Sequence, residues 1–303
     1  MARFRDAVAF FTVACLWGFG VAAAEVGFRS FPPLLLSAFR YYIAGGLLLG
    51  YVGLATDVWY PRTRADKVAI CGGGVFWIAV GNGVWFVGQN LTSSVLSGLM
   101  MGFTPIVTVA ISWILLPQDR LTTVSLVGLF ISFGGTILLV WPTQTATVTT
   151  ALIGKALLFV GVFGLAAGSV LVRWATTSLP STTWTAWSAL VGGVIIHGLS
   201  VLSGEQWAMN VTMTGIASLL YLSVGATAVS YILFFFLLDR HPAIEVTLIT
   251  YLVPIIAAVT GWALFDERIS WRMAAGLPII VIGFTIMKRH ELRAEVARIQ
   301  RPD

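Results

Sequence analysis

The sequence predicts an all-α membrane protein of ten transmembrane helices, arranged as two inverted five-helix repeats. Three observations lead there. Of 303 residues, 58% are hydrophobic and 10% charged, with mean hydropathy +0.91, which is more apolar surface than a soluble domain of this length can bury. The apolar residues fall into runs of about 20, the length of helix that crosses a hydrocarbon core of about 30 Å. The two halves also resemble each other at a fixed shift.

Taken in order, the first span runs from Ala7 to Gly27 and is followed by nine of similar kind, so it reads as a span and not as a cleaved leader. The next four run from Leu34 to Leu54, Val68 to Asn90, Val95 to Leu116 and Leu121 to Trp141. The second half places spans at Ala156 to Trp174, Trp184 to Leu202, Gly215 to Leu238, Ile244 to Phe265 and Ile269 to Met287. Pro32-Pro33, Pro61, Pro117, Pro142, Pro180 and His241-Pro242 punctuate them, because a proline without its N–H ends a helix. The organisation is therefore a first repeat over 1–142, a Thr-rich linker over 143–153, a second repeat over 154–288 and a basic cytoplasmic tail over 289–303.

The net charge of +5 does not indicate nucleic acid, because the basic residues sit in short loops and form no patch. With the N-terminus inside, thirteen of them fall on the cytoplasmic side, among them Arg3, Arg62, Arg173 and Arg240, and four on the other: Arg29, Lys155, Arg268 and Arg272. The positive-inside rule then puts both termini in the cytoplasm of a multi-pass protein of the cytoplasmic membrane. Cys15 and Cys71 lie in apolar runs and form neither a disulfide framework nor a metal motif, and no metal or cofactor is expected. The expected partners are a small-molecule substrate and the lipid bilayer, with the chain a monomer or homodimer.

At a shift of 149 residues Pro105, Ile106, Trp113, Leu115, Gly134, Thr136 and Ile137 fall on Pro254, Ile255, Trp262, Leu264, Gly283, Thr285 and Ile286. An odd number of spans per copy turns the copies over relative to each other, the arrangement that secondary transporters use for alternating access.

Pro105 and Pro254 each fall about ten residues into a span, near the midplane at about 1.5 Å per residue, and are the candidate hinges. Thr250 and Tyr251 share a face ahead of Pro254. The third span carries Asn82, Trp85, Phe86 and Gln89 at helical spacing; the eighth carries Thr227, Ser230, Tyr231 and Phe234. Such faces turn away from lipid, and both interhelical packing and cavity lining satisfy that need equally. Gly46 with Gly50, Gly98 with Gly102 and Gly164 with Gly168 permit close helix approach.

The ionisable groups within spans are Glu25, Arg40, His197 and Glu245. Charges there are expensive and mark functional sites. Arg40 is expected to reach outward to Glu25 as an ion pair joining the first two helices, structural or gating. Glu25, His197 and Glu245 are candidates for proton coupling, although a lone intramembrane histidine is more often a hydrogen-bonded core residue and Glu245 sits where it would cap its helix.

Leu16-Trp17-Gly18, Glu25-Val26-Gly27, Phe31-Pro32-Pro33 and Ala38-Phe39-Arg40, then Tyr231 through Phe236, Leu252-Val253-Pro254, Phe265-Asp266-Glu267, Gly276 and Gly283, resemble in order and spacing the drug/metabolite transporter superfamily, specifically its EamA-like branch. The resemblance covers nearly the whole chain. It implies an inner-membrane carrier, usually an exporter of amino acids, metabolites or drugs, with a central cavity between the halves. The candidate substrate-binding residues are then Trp17, Glu25, Arg40, Asn82, Trp85, Phe86, Gln89, Thr227, Tyr231, Thr250 and Tyr251. Glu25 stands where that family often has a lysine, and Pro117-Gln118-Asp119 where its second repeat has Asp266-Glu267.

A multi-pass membrane enzyme or flippase acting on lipid is the competing class. A membrane enzyme needs an acid, base or nucleophile constellation, and no Walker A, HExxH or nucleophile-elbow sequence is present. A scaffold would not need matched midplane prolines. Polar stripes that line a cavity, or close on each other, distinguish these readings.

Overall fold

The computed structural model describes residues 2–115, 123–140, 148–207, 209–238, 240, 246, 249–267, 269–287 and 289. The described residues form α1 (Ala2–Phe28), α2 (Pro33–Ala55), α3 (Arg64–Asn90), α4a (Ser94–Met101) and α4b (Thr104–Leu115), and α5 (Thr123–Val140). The second half supplies α6 (Val148–Trp174), α7 (Ser181–Leu202), α8 (Met213–Leu237), α9 (Ile249–Phe265) and α10 (Trp271–Met287). With α4a and α4b counted as one broken span, these are the ten spans expected, and no strand occurs among the described residues.

The two halves start their helices by the same local chemistry. Pro32 caps α2 at φ −57°, ψ 145°, and Pro180 caps α7 at φ −53°, ψ 143°. A proline there loses no helical hydrogen bond, because the first N–H groups of a helix have no partner anyway. Thr63 caps α3 by accepting from the Asp66 N–H, and Thr212 caps α8 by accepting from the Gly215 N–H. Within α3 the ladder loosens to a π-helix over Gly73–Val84, and within α8 over Tyr221–Val229. The two stretches begin 148 residues apart, the separation of the two proline caps.

Glycines bring the halves together. A Cβ at Gly283 of α10 would lie 2.6 Å from the Gly128 carbonyl oxygen of α5, and one at Gly135 would lie 2.9 Å from that of Gly276. The α5–α10 crossing is therefore built twice from the same contact. Gly164 and Gly168 of α6 lie equally close to the Gly81 and Trp77 backbone of α3, and Gly98 of α4a to Ala257 of α9. Gly46 and Gly50 face open space, so that pair packs against nothing among the described residues.

The fourth span is not the single straight helix that its apolar run suggests. It breaks between Met101 and Thr104 and bends by 40°. The break lies against α9: a Cβ at Gly102 would lie 3.6 Å from Pro254 Cγ, and Pro254 sits inside the α9 helix. A proline removes one helical hydrogen bond and crowds the preceding turn. The discontinuity of one half thus rests on the weakened helix of the other.

Candidate functional site

Between the halves, α1 and α2 meet the π-helical part of α8, and the local backbone explains why polar groups gather there. In a π stretch the hydrogen-bond ladder runs between residues five apart instead of four, and side chains there reach the same carbonyls. In α8 the Thr227 hydroxyl donates to the Leu222 carbonyl (2.7 Å), and in α3 the Asn82 amide donates to the Trp77 carbonyl (2.9 Å), each five residues back.

Arg40 is buried at 8% exposure, and its Nε donates to Thr227 Oγ1 at 2.8 Å. Its guanidinium carbon lies 5.0 Å from the centre of the Tyr41 ring and 5.4 Å from that of Phe86. Trp17 of α1 donates from Nε1 to Ser230 Oγ at 2.9 Å and meets the Phe234 ring at 5.3 Å. Tyr231 stacks between Trp17 and Trp77 at 6.4 and 5.8 Å. Gln89 of α3 donates to the Val21 carbonyl of α1 at 2.8 Å. Trp85 and Phe86 are buried in the core beside Leu96 and Leu222.

The polar stripes of α3 and α8 therefore close on neighbouring helices. A groove of about 680 Å³ lies elsewhere, on the outer surface along α1, lined by Phe4, Phe11, Cys15, Phe19 and Tyr221. It is apolar and sits where lipid would lie.

The expected Glu25–Arg40 ion pair does not form. Glu25 sits three residues from the end of α1, and its electrostatic neighbours are Arg29 and Glu267. Arg40 lies seven residues into α2 and runs across the bundle to α8. Glu25 Oε2 is buried without a hydrogen-bond partner among the described residues. His197 packs its ring 5.3 Å from Trp207 and 6.0 Å from Tyr42. Glu245, and the side chains of Pro105, Thr250 and Tyr251, lie outside the described residues.

The sequence reading omitted Tyr41, Trp77 and the two carboxylates that lock helix starts. Glu267 accepts from the N–H groups of Ser94 (3.0 Å) and Val95 (2.8 Å) and from the Ser94 hydroxyl (2.6 Å). Glu205 does the same for α2, accepting from the N–H groups of Leu34 (2.9 Å) and Leu35 (3.1 Å) and from the Ser200 hydroxyl. A carboxylate suits the positive end of a helix. Both caps come from distant loops, which no local pattern could reveal; for Tyr41, an aromatic beside an intramembrane arginine was the available signal.

A family model described as the EamA-like transporter family matches this chain twice, over residues 6–141 and 152–289. The uncharacterized inner membrane transporter YedA of Escherichia coli (strain K12) is 24% identical over 291 residues, covering 94% of this chain and 92% of its own. Protein PecM of Dickeya dadantii is 24% identical over 280 residues, with 92% and 90% covered. A protein of known crystal structure superposes with a TM-score of 0.68 at 18% identity, covering 96% of this chain and 99% of its own.

Proposed function

Because the chain belongs to the EamA-like transporter family, we propose that it is a secondary transporter that exports a small amino acid-like or drug-like metabolite across the cytoplasmic membrane. That it is a multi-pass membrane protein follows from the family and its ten spans. The observation that carries the mechanism is the facing of two discontinuities across the repeat interface, the α4 break and the buried Pro254. A hinge in each half at the same depth is what a pair of inverted repeats needs to exchange conformations around one site.

In this reading Trp17, Arg40, Thr227 and Tyr231 form the substrate centre, with Phe86 and Gln89 on the α3 side. The hydrogen bonds from Arg40 to Thr227 and from Trp17 to Ser230 link the first half to the second, and are the contacts that opening would exchange for contacts to substrate. Glu25, with Glu267 beside it, is the proposed proton-coupling group, since a carboxylate with one oxygen buried and unpartnered among the described residues, and with a second carboxylate near it, is relieved of uncompensated negative charge by taking up a proton. The inner-membrane location of the Escherichia coli relative and the distribution of basic loops support a cytoplasmic-membrane location with both termini inside.

The test is transport by the purified chain in proteoliposomes loaded with candidate amino acids, organic acids and cationic drugs. Counterflow of a labelled compound, absent with empty vesicles, supports the proposal, and acceleration by an imposed pH gradient that is lost in Glu25→Gln supports the coupling. Silence across all classes overturns the transporter reading.

A further inference from the structure

Resting on that transporter reading, we infer that Arg40 receives the negatively charged group of the transported molecule, and that the substrates are small monocarboxylates, zwitterions included, with an apolar or aromatic body. An arginine in a membrane-spanning helix is costly, and the effective penalty of burying an ion is several kcal/mol unless a counter-charge repays it.

Among the described residues Arg40 has no such repayment. No carboxylate oxygen lies within 4.0 Å of it, and its one hydrogen bond uses Nε. Both Nη nitrogens, the fork that binds a carboxylate with two parallel hydrogen bonds, find no acceptor among those residues. The residue nevertheless keeps 8% of its surface open, so the fork is not sealed.

The surroundings hold the fork in place without neutralising it. Thr227, itself anchored to the Leu222 carbonyl, fixes Nε. The rings of Tyr41 and Phe86 pack on the guanidinium, and Phe28 braces Phe86 edge-on at 5.5 Å. Ring contacts of this kind stabilise a cation but leave its charge uncancelled. A single positive charge fits a monoanion. A dianion such as phosphate would be left half-paired, with Glu25 and Glu267 adding like charge toward the end of α1. The aromatic walls provide the surface for an apolar body.

The experiment is ligand-dependent thermal stabilisation of the purified full chain by matched pairs that differ in the acid: benzoate and benzamide, phenylalanine and phenylalaninamide, methionine and methioninamide. Compounds that bind then go into proteoliposome counterflow. The expected result is carboxylates binding on the order of 10- to 100-fold more tightly than their amides, the range for a hydrogen bond to a charged group. In Arg40→Gln that difference disappears, and in Arg40→Lys, which keeps the charge without the fork, it shrinks.

Equal binding of both members of each pair, or a carboxylate preference unchanged in Arg40→Gln, overturns the inference and leaves a transporter of another substrate class. No binding and no counterflow for any compound overturns the transporter reading with it. Should Arg40→Gln fail to accumulate, the wild-type pairs decide alone, joined by Thr227→Val. That variant is expected to weaken carboxylates several-fold and leave amides unchanged; an equal effect on both members counts against the assignment.

Discussion

Replacing Glu267 by glutamine tests whether one loop carboxylate secures the start of α4a. The carboxylate uses both oxygens: Oε1 accepts from the Ser94 N–H and hydroxyl, and Oε2 from the Val95 N–H. Ser93 takes the next N–H, that of Leu96, so the two caps do not duplicate each other. Glutamine keeps one acceptor and turns an NH2 group toward the Val95 N–H, donor against donor. A hydrogen bond to a charged group contributes about 1.5–3 kcal/mol and the loss of charge at a helix N-terminus about 0.3–1 kcal/mol. Because Glu267 is only half-buried, the lower end applies, and the expected destabilisation is about 2 kcal/mol. Thermal unfolding of the detergent-solubilised chain should then show a midpoint lowered by roughly 4–8 °C. Ser94→Ala should cost about 1 kcal/mol alone and less in the Glu267→Gln background, since its hydroxyl bond would already be weakened. Glu205→Gln, which loses the same contacts at α2, serves as a parallel. A midpoint within about 1 °C of wild type for both glutamine variants would refute the reasoning.

Asp266 holds φ 53° in the turn that delivers Glu267. Asp266→Gly should be neutral or mildly stabilising in the same melt, and Asp266→Val should cost on the order of 1–2 kcal/mol, because a branched side chain resists the left-handed region. At the α5–α10 crossing, Gly283→Ala forces a Cβ against the Gly128 carbonyl and should cost about 1–3 kcal/mol, read as reduced folded yield by size-exclusion chromatography. Gly46→Ala, which faces open space, should leave that yield unchanged or raised. Trp17→Phe and Ser230→Ala remove the same 2.9 Å hydrogen bond; each should cost about 1 kcal/mol in the melt, and the double variant little more than either one.

The ten spans and their inversion were legible because lipid imposes a simple rule on sequence: helices of fixed length, ended by proline and separated by charged loops. Polarity likewise placed Arg40 and Thr227 away from lipid, the family resemblance added Trp17, and the structure brings these three to one region. The partner of Arg40 was not legible. Glu25 is the nearest acidic residue along the chain, but a side chain crossing from α2 to α8 depends on the π-helical Thr227, and a π stretch has no period in hydrophobicity to betray it. The α4 break escaped for a related reason, since apolar composition continues through Met101 to Thr104 and only the fit against Pro254 marks it. Sequence matching set the repeat at 149 residues, whereas the proline caps, the π stretches and the paired glycines Gly128/Gly276 and Gly135/Gly283 stand 148 apart. A one-residue offset is invisible among leucines and isoleucines and decisive at a glycine crossing.

That register also locates the asymmetry of the molecule. Eight residues beyond its proline cap, α2 carries Arg40, and eight residues beyond its own, α7 carries Ser188. Both reach the third helix of the opposite half: Arg40 bonds Thr227 on α8, and Ser188 donates to the Ile70 carbonyl on α3 at 3.0 Å. The scaffold treats the two positions alike, while the chemistry does not. Serine satisfies its hydroxyl on a backbone carbonyl and needs nothing more; arginine leaves a charged fork over. Packing alone would be served by serine at both places, at no cost in buried charge. One half carries the inexpensive interhelical bond and the other a cation in its place, and on the proposal made above that difference is what would give a near-symmetric pair of repeats a single site for a single charge.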